Sequence, residues 1–473
     1  MRPRRGYLML LALVFGSVFL TVLGALSSFV LTENRVQTVD TSSDRGFALA
    51  EAGLEYYRWF LAHYPTDLTN GTGASGPYTV PYEDPEGGVT GSFTLDIDGN
   101  QSCGQITSID IESTGTPEEN ANAARTLTAR YARPTVALYS YIINGTVWAG
   151  PDRVINGPYH SNGGIRMDGT ANAPVTSSLS SWLCTATFGC SPNSTRAGVW
   201  GDGPNQTLWS YPTPQVDFAA IAANFGALKA TAQASGRYFP SRSPNNSLAA
   251  GYRVTFNGNG TYTVRAVTDT YSTLSIPIND PSETSEKNDY TRIRSQSSAS
   301  TYTLPANCGL LYFEDDVWLE GTIDTKVTLV AANIVNSGVA PRIILRDDVT
   351  YTTQDGTAGL TAIAEGDVLI GPDSPYNMTL NGIFIAQTGA FGRNLYRNVN
   401  NSCYSSYEPR GTLTILGTTV SNKRTGTQWQ NACGDYGGYE HRIDSYDRNL
   451  ATDPPPFTPA VSPTYQFVDW REG

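Results

Sequence analysis

Apolar and small residues fill positions 7–31 without one charged side chain, and beyond them the pattern changes twice. At about 1.5 Å per residue this run makes a helix roughly 37 Å long, enough to cross a bilayer core. Phe47, Ala50, Leu54, Tyr57 and Leu61 then recur at spacings of three and four, which marks one buried helix face. Glu51, Glu55 and Arg58 fall off that stripe, and no proline interrupts between Pro3 and Pro65. The spacing predicts a long helix over 7–64, greasy first and amphipathic second, with Gly46 and the Thr/Ser/Asp run at 40–44 as its soft point.

After residue 65 the period shortens to two. Phe93, Leu95 and Ile97 alternate, as do Ile109 and Ile111, and Leu127, Ala129 and Tyr131. Turn chemistry at Asp98-Gly99-Asn100 and Thr114-Gly115-Thr116-Pro117 separates these runs. They predict a small antiparallel sheet within 65–134, of three strands, laid on the amphipathic helix. From 135 onward, short β-branched runs such as 138–143, 310–313, 327–330, 360–363, 383–385 and 413–416 alternate with Gly, Asn and Asp. Few hairpin dipeptides link them, which favours a β-solenoid-like domain over 135–439 and leaves a sandwich or propeller as the alternative. Residues 176–300 read as an insertion, with a helix over 216–235 and an Asn-Gly hairpin over 251–268; residues 440–473 read as a Pro-rich strap. The fold class expected is mainly β with a long N-terminal α-helix.

Composition narrows the function. The chain has 473 residues, 31 Lys plus Arg against 43 Asp plus Glu, a net charge of −12 and only 3 His. Acidity argues against a general nucleic-acid coat, and scarce His against a His-rich metal enzyme. Arg2, Arg4 and Arg5 precede the apolar run and hold its start on the cytoplasmic side, so the bulk of the chain is expected outside. The run exceeds the 7–15 residues of a secretory signal; a plain membrane anchor fits its length.

A basic leader ending at Gly6-Tyr7, an apolar half-helix and an amphipathic half-helix together resemble a type IV pilin. The stretch from Phe47 through Ala48, Leu49, Ala50, Glu51, Ala52, Gly53 and Leu54 to Glu55 is similar to the PilX-type minor pilin N-terminus. The resemblance covers about the first 60 residues. It implies cleavage between Gly6 and Tyr7 by a prepilin peptidase, other pilins and the assembly machinery as partners, and a membrane stage before display at the cell surface. Cleavage would remove three positive charges and take the net charge from −12 to −15. Major pilins carry Glu at the fifth mature position, where it pairs with a neighbour's amine. Here that position is Leu11, and the first acid is Glu33. The departure points to a minor, tip or initiating subunit.

Candidate chemistry beyond the helix is sparse. Asp315, Asp316, Asp347 and Asp348 would form a carboxylate pair for hydrolysis, or a Ca²⁺ site, if their coils stacked; the plainer reading is solvated turns. His160 stands alone in a turn. Arg342, Arg346, Arg393, Arg397 and Arg410 are the residues that a DNA-capturing surface would use. Overall acidity weighs against nucleic acid as a partner without excluding it. Six cysteines, all after the apolar run, suit an oxidising exterior, with Cys184–Cys190 and Cys403–Cys433 as near pairs and Cys103–Cys308 as the remainder. The expectation is a non-enzymatic subunit without a cofactor, displayed for assembly initiation, adhesion or ligand capture. A membrane-anchored polysaccharide-active enzyme and a DNA-capturing competence pilin are the alternatives.

Overall fold

The computed structural model describes residues 5–242, 251–278, 286–336, 338–396, 407, 409–430 and 436–472. Two compact units divide the chain: Met1–Asn100, Ile109–Tyr131 and Phe467–Gly473 form one, Gln101–Ser108 and Ala132–Gln466 the other.

The first unit is built on α1, a 59-residue helix over Arg5–His63. The expected soft point does not break it. The hydroxyls of Thr38 and Thr41 donate to carbonyls four residues back, at 2.7 and 2.8 Å, sharing acceptors of the helix backbone without interrupting it. Gly46 is where the helix touches its neighbour: a Cβ there would overlap the carbonyl oxygen of Ala123. Gly53 packs as closely on Ser113 and Phe93, and Gly115 on the backbone of Gly46 and Ala50. Ala50, Leu54, Tyr57 and Leu61 are buried along the predicted stripe, joined by Leu49 and Phe60. Phe93, Leu95, Ile109, Ile111, Leu127, Ala129 and Tyr131, members of the period-two runs, are buried as well, and the Tyr131 hydroxyl donates to the Leu54 carbonyl at 2.6 Å.

That sheet has five strands rather than three, in the order Tyr78–Glu83, Val89–Ser102, Gln105–Pro117, Arg125–Ala132, Gln466–Glu472. Tyr78–Glu83 lies outside the three predicted runs. It carries Pro81, which an edge strand tolerates because one side of its backbone needs no partner. Gln466–Glu472 comes from the expected strap. Phe467 seats its ring 4.3 Å from Tyr131, and Trp470 meets Phe47 edge-on at 6.2 Å.

The second unit is a ladder of short, mostly parallel strands. Its rungs follow in the order Arg237–Phe239, Leu310–Phe313, Lys326–Ala331, Gly359–Ala364, Met378–Ala386, Pro409–Ser421, Tyr141–Ile143, Tyr159–Ser161, Val175–Ser177 and Trp209–Ser210. Each rung stacks in register on the next, as in the column Tyr312, Val330, Ile363, Ile385, Val420, Ile142. Chain order is not spatial order. The chain enters mid-ladder at Tyr141, runs out to Ser210, and returns through α2 (Phe225–Ala234) to begin again at Arg237. It then winds back until Thr419, Val420 and Ser421 pair with Tyr141, Ile142 and Ile143. A second pairing at this seam joins Arg442–Ser445 to Arg153–Asn156.

The stretch expected as an insertion therefore contributes rungs: 175–177, 209–210 and 237–239, while Gly251–Asn257 pairs in parallel with Asp316–Ile323. What stands outside the ladder is the hairpin of Ser181–Cys184 with Ser194–Ala197, helix α2, and the antiparallel excursion Thr261–Ser275, Lys287–Gln296 and Ser300–Thr303. Helix α2 is shorter than the periodicity predicts. Asp217 accepts from the amides of Ala219 and Ala220 and makes a turn of its own; Asn224 then caps the helix on the amide of Ala227.

Candidate functional site

The apolar half of α1 is the most exposed apolar surface described. Its most hydrophobic 18-residue window has a mean hydropathy of 2.5 with none of it buried, so the helix is long and apolar enough to cross a membrane. The Gly6–Tyr7 bond lies in the first turn. Tyr7 is 71% exposed and Leu11 42%.

The acidic runs do not face one another. Glu314 accepts from the Lys229 ammonium, from the Tyr238 hydroxyl at 2.7 Å and from the amide of Ser241. Burial pushes its carboxyl up, but these donors outweigh it and hold the pKa below the ordinary value. Asp315 accepts from the Ser241 hydroxyl at 2.8 Å and the Arg242 amide at 2.5 Å; burial prevails and its pKa is raised. Asp316 takes a fork from Arg342, with Nε at 3.0 Å and Nη2 at 2.6 Å. Asp347 and Asp348 lie in an irregularity between Leu345 and Val349, opposite Glu320 rather than Asp315. Asp348 accepts from the amide of Thr379, and Asp347 from that of Asp348. Among the described residues no group of three or more His, Cys, Asp or Glu is placed to hold a metal ion.

The arginines named as DNA contacts are spent inside the ladder. Arg342 belongs to Asp316, and Arg346 bonds Glu320 at 3.0 Å. Arg393 is fully buried and donates to the carbonyls of Pro372 and Tyr407. Arg410 donates to the carbonyls of Ser374 and Pro372, and burial lowers its pKa. Arg397 lies outside the described residues, as do Cys403 and Cys433. Cys103 is bonded to Cys308, and Cys184 to Cys190. His160 is a ladder residue between Ile142 and Thr176, with its ring nitrogens 2.8 Å from Thr176 Oγ1 and 3.0 Å from Asn162 Oδ1. An amide oxygen only accepts, so Nε2 carries a proton; burial lowers the imidazole pKa.

One cluster was not foreseen from the sequence. Val147–Ala149, Ile165–Met167 and Val199–Trp200 form a three-stranded parallel sheet whose inward residues are buried. Their outward residues stack in register as Trp148, Arg166 and Trp200. The Arg166 guanidinium lies 4.0 Å from the centre of the Trp148 ring and 5.1 Å from that of Trp200. It is fixed by Asp168 at 2.8 Å and by the carbonyl of Phe188 at 2.8 Å. Arg196 stands 4.6 Å over Trp200, and Arg424 sits 5.0 Å from Phe188 and 5.6 Å from Trp429. The available signal was an aromatic or Arg residue at the centre of apolar triplets, Val-Trp-Ala and Ile-Arg-Met.

No family model matches the chain, and no curated protein matches it. Among solved structures it is similar to the competence-associated pilin ComZ from Thermus thermophilus, at 14% identity and a TM-score of 0.31, over 92% of this chain and 98% of that one.

Proposed function

We propose that this chain is a non-enzymatic minor subunit of a type IV pilus or pseudopilus, of the PilX-like N-terminal type. The observation that carries this reading is α1 itself. One unbroken helix offers an uncharged, exposed half and continues into a half clamped on a small sheet through Gly46 and Gly53. The exposed half needs an apolar surrounding, first a bilayer and then the core of a filament. In this reading a prepilin peptidase cuts between Gly6 and Tyr7. Leu11 offers no carboxylate to a subunit ahead, which suits a tip or initiating position. The ladder is presented at the cell surface for assembly initiation, adhesion or ligand capture, and no cofactor enters.

The DNA-capturing alternative has less support, because Arg342, Arg346, Arg393 and Arg410 are already paired or buried. The enzyme alternative would need Asp315 and Asp316 to face Asp347 and Asp348, which they do not.

The test is the amino terminus of the protein recovered from membranes. An N-methylated Tyr7 is the expected result. Met1 would favour an anchor, and a terminus near Phe29 would overturn the filament reading.

A further inference from the structure

In a chain with an excess of acids, several buried cations of the ladder are matched by carboxylates. Arg153 has Asp444, Arg166 has Asp168, Arg342 has Asp316 and Arg442 has Asp152. Among the described residues Arg196 and Arg424 have no carboxylate partner; each rests on aromatic rings, as Arg292 does on Tyr271 and Tyr407. Among the described residues the Nε of Arg424 is buried without an acceptor, and burial lowers its pKa. A guanidinium laid on a ring keeps its N–H edge for an oxyanion, which it takes with two parallel hydrogen bonds. The two arginines belong to one surface. Arg424 stands over Phe188, whose carbonyl holds Arg166; Arg166 lies over Trp200, which carries Arg196.

We propose that this surface binds an acidic polysaccharide, with carboxylates taken by the guanidinium edges of Arg196 and Arg424; this rests on the reading of the ladder as a ligand-presenting domain. A chain molecule fits better than a lone anion because each guanidinium rests on its own rings and would take its own carboxylate. A uronate chain fits better than single-stranded nucleic acid because bases need open aromatic faces. Here the indoles of Trp148 and Trp200 already carry guanidiniums.

The experiment titrates the full chain, in detergent, against polygalacturonate, against neutral dextran and against an oligothymidylate, at two salt concentrations. The expected result is polygalacturonate binding that weakens with salt, no dextran binding, and a loss of about tenfold for each of Arg196→Gln and Arg424→Gln. Arg424→Lys keeps the charge without the fork and is expected to recover only part of that loss. Absence of polygalacturonate binding, undiminished binding by the double variant, or tighter oligothymidylate binding through the same arginines would overturn the proposal. If Arg424→Gln fails to fold, Arg196→Gln carries the test, since Arg196 is exposed and its removal opens no cavity. The amino terminus of the same preparation is read separately, so failure here is distinguishable from failure of the pilin reading.

Discussion

In the helix-and-sheet unit, charge pairs stay at the surface. Arg45 bonds Glu119 with side chains 48% and 66% exposed, and Arg130 bonds Asp110 with 30% and 40%. In the ladder unit several go inside: Arg153 bonds Asp444 at 2.6 Å with only 4% and 2% exposed. The difference follows from how each unit uses its sheet. A five-stranded sheet with one face on a helix keeps an outer face for polar residues. A parallel ladder is covered more completely, and its two arms must find one register where they meet. At that seam Ile and Val columns alone would tolerate a slip, whereas Arg153 on one arm and Asp444 on the other accept a single alignment. Arg442 with Asp152, and Asn144 with Asn422, repeat the device beside it.

The largest effect should come from breaking that seam. Asp444→Ala leaves Arg153 buried against the rings of Tyr141 and Tyr159 with no counter-charge. The expected cost is about 3–5 kcal/mol, read as a lower urea midpoint of the ladder's transition with the helix-and-sheet transition unmoved. Replacing both partners with apolar residues should recover most of it. A cost near zero for Asp444→Ala would erase the distinction between the two units.

The seam also marks what the sequence could and could not convey. The stripe from Phe47 to Leu61 was readable because its partners are its own neighbours at helical spacing. The inner three strands of the small sheet were readable for the same local reason. The fifth, Gln466–Glu472, was not, since its partner lies some 340 residues earlier and its proline-rich surroundings mask its alternation. Short apolar runs announced a ladder, but three-residue rungs carry no mark of which rung they meet. Residues 176–300 therefore read as an insertion although they supply rungs at both ends. Among the candidate sites, Gly6, Tyr7 and Leu11 were named through the resemblance of the N-terminus to a pilin, not through periodicity. The Asp and Arg candidates were visible as residues, but not as each other's partners: Asp316 with Arg342 is a match of cross-coil register.

A middle-sized effect should come from the glycines that let α1 approach its sheet. On helix propensity alone, Gly46→Ala is stabilising by about 1 kcal/mol. Here a Cβ would overlap the Ala123 carbonyl, a backbone atom that cannot swing away. Gly46→Val should therefore destabilise the helix-and-sheet unit by about 1–3 kcal/mol, measured as protection of the Gln105–Pro117 and Arg125–Ala132 amides in hydrogen exchange. Ladder amides should keep their protection. If Gly46→Val instead behaved like an exposed helix position, the close approach would not be what holds this unit together.

The smallest effect is expected one residue earlier. Arg45 reaches Glu119 at 2.6 Å, a distance equal to that of the buried Arg153 pair, yet both of its side chains are largely in water. Water and salt screen such a pair, and ordering two long side chains costs most of what the contact returns. Arg45→Ala should cost less than about 1 kcal/mol, and the difference from wild type should vanish as salt is raised. The same substitution leaves the Gly46 contact untouched, so it separates charge from packing at adjacent positions of one helix. A salt-independent loss comparable to that of Asp444→Ala would mean that distance sets the worth of these pairs; the expected contrast would mean that burial does.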